Sequence, residues 1–172
     1  MLKLSGFAAT EIDRISAREM RFAIEEFNTE YCAVLDSGEV ELWPEFFTED
    51  ALYRVTAKEN ADAGMLVGLV YAEGKKMLHD RATAIARTQM FAPRYNLHVV
   101  GNVRVLNIVD GCEIFAQTNF ILLQTLVEGP TTLHLAGKYY DRFEMKNGEM
   151  LLKERQVVYD TSIIANDLVY PV

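Results

Sequence analysis

From residue 96 onward, apolar and polar residues alternate with a period of two through four long runs, 96–109, 112–127, 131–145 and 149–163. The runs are separated by Asp110-Gly111, Glu128-Gly129-Pro130 and Lys146-Asn147-Gly148. Alternation at that period is the mark of a strand. Separators of this kind are hairpin turns, so the pattern predicts a four-strand antiparallel meander. The third run places Leu133, Leu135, Gly137, Tyr139, Phe143 and Met145 on one face. His134, Lys138, Arg142, Glu144 and Lys146 fall on the other, and Asp141 interrupts the apolar side. The second run carries Ile121, Leu122, Leu123 and Leu126, which puts apolar groups on both faces. A sheet wet on one side does not read that way, so something is expected to cover the second face, and another chain is the candidate.

Ahead of the meander the period is helical. Ser16-Ala17-Arg18-Glu19 has the form of a capping box, flanked by Ile15 and Met20 at staple spacing. A stripe of Met20, Ala23, Ile24, Phe27, Tyr31, Val34 and Leu35 predicts a helix of about five turns, closed by Asp36-Ser37-Gly38. A short helix is expected over Glu39–Phe47, with Pro44 in its first turn or distorting it. It presents Leu42, Trp43, Phe46 and Phe47. Leu52–Thr56 reads as a β segment, 57–64 as a loop and Met65–Ala72 as a strand. Gly74–Phe91 fits a third helix, with Met77, Leu78, Ala82, Ile85, Gln89 and Met90 near one face and Pro93 beyond it. Residues 1–14 show no period and are expected to form an arm, with one domain over 15–172. Helices grouped ahead of an antiparallel sheet define an α+β layered domain, and a sheet curved around those helices makes a cone.

Composition narrows the function. The chain has 17 Lys plus Arg against 25 Asp plus Glu, a formal charge of −8. A net-negative surface repels a phosphate backbone, and acids interrupt the densest basic stretch, so no nucleic-acid partner is expected. No apolar run reaches the ~18 residues that span a bilayer, and Met1–Ala9 is too broken for a secretory signal, which predicts a cytoplasmic protein without a membrane partner. Cys32 and Cys112 lie in apolar stretches and read as a buried pair of free thiols.

Nucleotide cradles of the G-x-G-x-x-G and P-loop kinds are missing, as is the G-x-S-x-G elbow. His79, His98 and His134 are scattered and neither cysteine has a second one nearby, so the chain is expected to hold no metal or cofactor of its own. Asp80 and Arg81 point about 100° apart on a helix. Either each ties the helix to a different neighbour, or Arg81 binds a substrate. His98 opens a strand as a hydrogen-bonded end group or a general base. His134 falls on the polar face and is expected to be exposed or in an interface. Asp141 is the better acid–base candidate, since burial would raise its pKa, although pairing with an arginine or tyrosine would serve packing equally well. Phe46, Phe47, Tyr53, Tyr139 and Tyr140 could line a pocket or fill a core.

Three stretches in fixed order carry a family resemblance: Leu42-Trp43-Pro44-Glu45-Phe46-Phe47-Thr48-Glu49-Asp50, Met77-Leu78-His79-Asp80-Arg81 and His98-Val99-Val100-Gly101-Asn102-Val103. With them the chain resembles the small (β) subunits of Rieske-type aromatic-ring-hydroxylating oxygenases. Val158-Tyr159-Asp160-Thr161 and Asp167-Leu168-Val169-Tyr170-Pro171 are similar to the branch acting on aromatic carboxylates such as terephthalate and salicylate. The resemblance implies an NTF2-like (cystatin-like) α+β cone that trimerises beneath a trimer of large α subunits, an α3β3 hexamer. The α subunit would carry the Rieske 2Fe-2S cluster and the mononuclear Fe(II). Asp80, Arg81, His98 and Asn102 match recurrent positions of the family and, with Trp43, are taken as structural or interface residues. The resemblance transfers no catalytic residue. The competing expectation is a free-standing enzyme of the same cone (an isomerase, dehydratase or cyclase) that sets Asp141 with His98 or His134 in an apolar pocket.

Overall fold

The computed structural model describes residues 7–65, 68–88, 90–161, 163, 164 and 167–172. Helix α1 spans Arg14–Asp36 and is followed by a 3₁₀ helix over Val40–Phe46, strand β1 (Phe47–Ala57) and helix α2 (Lys58–Asp62). Strand β2 (Val70–Glu73), helix α3 (Lys75–Arg87) and strands β3 (Arg94–Val109), β4 (Glu113–Leu126), β5 (Thr131–Lys146) and β6 (Glu149–Tyr159) complete the order. The strands form one sheet in the order β2-β1-β6-β5-β4-β3. Every neighbouring pair is antiparallel except β1 with β6. The α+β architecture expected from the sequence is what forms, with α1, the 3₁₀ helix and α3 packed on the sheet's inner face.

Several local expectations are corrected. Helix α1 is capped by Asp13, whose carboxylate accepts from the N–H groups of Ile15 and Ser16 at 3.0 Å, while the Ser16 hydroxyl also donates to it. A carboxylate outcompetes a hydroxyl as acceptor at the positive end of a helix, so the cap falls three residues before Ser16. Ile15 is exposed and staples nothing. The expected loop at 57–64 contains α2, and the expected strand over Met65–Ala72 is confined to Val70–Glu73; residues 66 and 67 lie outside the described residues. Helix α3 stops at Arg87, where both the N–H and the hydroxyl of Thr88 turn back to the Ala84 carbonyl. Leu78, Ala82 and Ile85 are buried beneath it, Met77 and Met90 are exposed, and Gln89 lies outside the described residues. Pro44 sits inside the 3₁₀ helix, whose i→i+3 bonding tolerates the missing donor in so short a run.

The faces of β4 alternate without a break. Ile114, Ala116, Thr118, Phe120, Leu122 and Gln124 point inward and are buried. Outward lie Phe115, Ile121 and Leu123, and here the arm intervenes. Phe7 packs edge-on against Phe115 and Tyr140 at 5.5 and 5.6 Å, and Thr10 bonds to the Leu106 carbonyl of β3. Part of the second face is therefore covered by the chain itself. Leu97, Val99, Ile121 and Leu133 are exposed on adjacent strands.

His134 overturns its expectation most clearly: it is 1% exposed. Leu122 pairs with Leu135 and Leu123 with Leu133, so His134 is the extra residue of a β-bulge. The bulge turns its side chain off the polar face and leaves Leu133 outside. Cys32 is buried as expected, but Cys112 is exposed in the β3–β4 turn.

Candidate functional site

The concave face of the sheet is where a cone of this kind would hold a ligand, and here it holds an ion pair. Asp141 of β5 and Arg155 of β6 are register partners, both fully buried. The carboxylate accepts from Arg155 Nε at 2.8 Å and from Nη2 at 2.9 Å, a two-pronged contact matched to the planar guanidinium. Nη2 also donates to Asn28 Oδ1 on α1 at 2.7 Å. Above and below, the rings of Tyr31 and Tyr139 lie 4.2 Å from the guanidinium carbon. Tyr139 stacks in turn on Phe120, with centroids 4.6 Å apart. Helix, sheet and aromatic layers thus converge on one cation.

Burial pushes the Asp141 carboxyl up, with Arg155 opposing it. Burial also works against the charge on Arg155, but Asp141 and the neighbouring tyrosines outweigh it and hold the guanidinium protonated. With an arginine that keeps its proton on both of its oxygens, Asp141 is bound as a carboxylate to a fixed partner and is not poised to exchange protons. The surrounding groups are equally inert: burial raises Tyr53 to about 12 and Cys32 to about 12, and Tyr31 and Tyr139 rise as well.

The other sequence candidates lie elsewhere. His98 Nδ1 meets Asp36 Oδ1 at 2.6 Å, and the His98 backbone N–H donates to the same carboxylate at 3.0 Å. Asp36 ends α1, so this pair fastens the helix to the start of β3. Beside it a cleft of about 380 Å³ runs between α1 and β3, lined by Asn28, Cys32, Asp36, His98, Val100 and Val103 among others. His134 is lowered by burial and by the nearby Arg94, Asp167 opposing, and stays neutral. Asp141 is therefore assembled with Arg155, not with either histidine. Arg81 donates to the Val169 carbonyl at 3.2 Å, and Asp80 is exposed. Asn102 takes a φ of 55° where β3 shifts register between Gly101 and Arg104; asparagine tolerates that left-handed conformation better than most residues. Trp43 is fully buried and donates to Tyr31 Oη at 2.8 Å.

Missed by the sequence reading is the C-terminal segment. The Val172 N–H donates to Tyr53 Oη at 2.9 Å and its carbonyl accepts from Tyr31 Oη at 3.1 Å, so the tail seals the layer beside Trp43. Arg94 bonds to Asp167, and Phe91 meets Tyr170 edge-on at 5.5 Å.

No group of three or more His, Cys, Asp or Glu side chains is arranged to hold a metal among the described residues. Cys32 faces the core and Cys112 a surface turn; His79 lies beside Glu45, His98 bonds to Asp36 and His134 is buried at the β5 bulge, so the three histidines are in different parts of the fold. The donors for a Rieske cluster or a mononuclear iron are present in kind but are not brought together. Among the described residues no helix is long and apolar enough to cross a membrane.

A family model described as the ring hydroxylating beta subunit matches residues 32–166. The chain belongs to that family. Like other ring-hydroxylating β subunits it is a component of an oxidoreductase complex. The small subunit of anthranilate 1,2-dioxygenase from Burkholderia cepacia is 33% identical over 151 residues, covering 88% of this chain and 93% of that one. The beta 2 subunit of the terephthalate 1,2-dioxygenase terminal oxygenase from a Comamonas species is 33% identical over 140 residues, covering 81% and 90%. A crystal structure from Novosphingobium aromaticivorans, described as a β subunit of an aromatic-ring-hydroxylating dioxygenase, superposes with a TM-score of 0.82. It is 36% identical and covers 91% of this chain and 99% of its own. A protein of the same organism described as resembling scytalone dehydratase shares the fold at 18% identity and a TM-score of 0.69, covering 92% and 95%. These likenesses place this β subunit in the NTF2-like cone. They favour the small-subunit reading over the free-standing enzyme.

Proposed function

We propose that this chain is the structural, non-catalytic small subunit of a multicomponent Rieske non-haem iron oxygenase that hydroxylates aromatic carboxylates. Its large partner holds the Rieske 2Fe-2S cluster and the mononuclear iron. Three copies of each subunit assemble as a hexamer, and the complex works in the cytoplasm. One observation carries the division of labour: the inward-facing acid that an enzyme of this fold would need, Asp141, is bound on both oxygens by Arg155, itself held against Tyr31 and Tyr139. The exposed apolar stretch of Leu97, Val99, Ile121 and Leu133 supports association with another chain. The dioxygenases of anthranilate and terephthalate among the relatives support an aromatic carboxylate as substrate.

Purification of the chain alone and with the large subunit encoded beside it tests this. Alone it is expected to be colourless, iron-free and inactive on arenes; together the two are expected to give a brown complex that turns over. Stoichiometric iron or turnover in the isolated chain would refute the reading, as would failure to form any complex.

A further inference from the structure

A second concavity lies on the other side of α1 from the His98 cleft. It is an open groove of about 480 Å³ whose floor is Phe27 of α1, Phe46 of the 3₁₀ helix, and Met145, Met150 and Leu151 of the β5–β6 hairpin. Its rim is acidic: Glu26 and Glu30 on α1, Glu45 on the 3₁₀ helix and Glu149 on β6. Lys75 donates to Glu45 at 2.8 Å and His79 lies 3.5 Å from it, so that carboxylate is compensated within the chain. Glu26 and Glu30 stand one turn apart on the same helix face, where like charges repel. No lysine or arginine lines the groove among the described residues.

An apolar floor under unpaired carboxylates discriminates between occupants. The rim repels anionic lipid and nucleic acid, and it disfavours a second copy of a chain whose charge is −8. It suits a polypeptide that brings cations to the rim and an apolar side chain to the floor, where two methionines can adapt to its shape. We propose that the groove receives a segment of the large subunit bearing lysine or arginine side chains beside an apolar anchor. This rests on the small-subunit reading and adds to it the surface on this chain that does the docking.

The test is the affinity of the full chain for its large subunit, at about 50 mM and about 300 mM salt, between which the screening length falls from about 14 Å to about 6 Å. The variants are Glu26→Lys/Glu30→Lys, their neutral counterparts Glu26→Gln/Glu30→Gln, and a control reversal away from the groove, Glu11→Lys/Glu59→Lys. All four positions are exposed, and thermal unfolding and self-association of each variant are measured alongside. The groove reversal is expected to weaken binding at low salt by about tenfold or more, the neutral pair by less, and the control by under about twofold. Wild-type affinity is expected to fall with salt more steeply than that of the reversal. Groove variants that bind the large subunit as the wild type does overturn the proposal, and so does a defect confined to self-association, which would assign the groove to a second copy. A wild-type chain that binds no large subunit removes the small-subunit reading and the groove's role together.

Discussion

Replacing Arg155 by methionine keeps much of the side chain's length and its contact with Tyr31 and Tyr139 while removing the charge. Asp141 then loses both donors at 2.8 and 2.9 Å, and Asn28 Oδ1 loses its donor at 2.7 Å, all at fully or almost fully buried positions. Breaking a buried ion pair from one side costs about 3–5 kcal/mol, because the other charge is left without compensation. Two charge-assisted bonds at about 1.5–3 kcal/mol each give an overlapping range of about 3–6 kcal/mol. For a chain of this size, about 4 kcal/mol lowers Tm by roughly 8–16 °C at fixed protein concentration. The pH dependence gives a second handle. In the variant, burial acts on Asp141 unopposed, so its folded-state pKa rises further above the unfolded value. Between those two values the folded state binds the extra proton, so stability is greatest at the acid end and is lost as pH rises through the folded pKa. The deficit relative to wild type should therefore be smaller near pH 5 than at pH 8. Arg155→Met/Asp141→Leu, which removes both charges, should recover most of the loss. Denaturant unfolding at the two pH values measures all of this. A single variant within about 1 kcal/mol of wild type at pH 8, or a deficit that grows toward acid, would refute the argument.

Tyr53→Phe removes the acceptor of the Val172 N–H and should cost about 1–2 kcal/mol in chemical unfolding, with earlier proteolysis of the C-terminal segment. His134, held neutral by burial, binds a proton more readily unfolded than folded. It should therefore subtract stability as pH falls below the ordinary histidine value, and His134→Leu should flatten that part of the stability–pH curve. Under native conditions a thiol reagent should label Cys112 quickly and Cys32 hardly at all, read by mass as one modification per chain, since Cys112 is exposed while burial raises Cys32 to about 12.

The meander was legible because its turns are spelled out: Asp110 and Asn147 take positive φ beside glycines that do the same, and the strands follow from those stops. What the alternation could not show is where it breaks. In the β5–β6 hairpin Met145 faces Met150 and Phe143 faces Leu152, and continuing that register would set Asp141 against Glu154. A bulge between Arg142 and Phe143 shifts the pairing by one residue and brings Arg155 opposite instead. Arg155 lies in the polar triplet Glu154-Arg155-Gln156, which reads as a wet stretch of strand, yet it shares the parity of Val157 and Tyr159. That parity was the available signal, and a charge on the buried side of two neighbouring strands was the clue that they pair. His134 was misread for the same reason, a bulge one residue wide.

The same cone serves proteins whose described functions differ, and at 18% identity the likeness fixes the fold and leaves the function open. What separates the possibilities is where inward-facing polar groups converge. An acid and an imidazole that converge on a cavity make a site that can move protons. In this chain the acid converges on an arginine and the imidazole of His98 on Asp36, the buried Nε2 of His134 has no hydrogen-bond partner, and aromatic rings close over the arginine. The Asp141–Arg155 and Asp36–His98 pairs each hold two elements together, and among the described residues the open surfaces include the outer sheet, the His98 cleft and the acidic groove. A domain built this way can influence a reaction only through what it touches from outside. Any effect of this chain on substrate choice should therefore follow from substitutions on those surfaces and be insensitive to conservative changes in the interior that leave the fold intact.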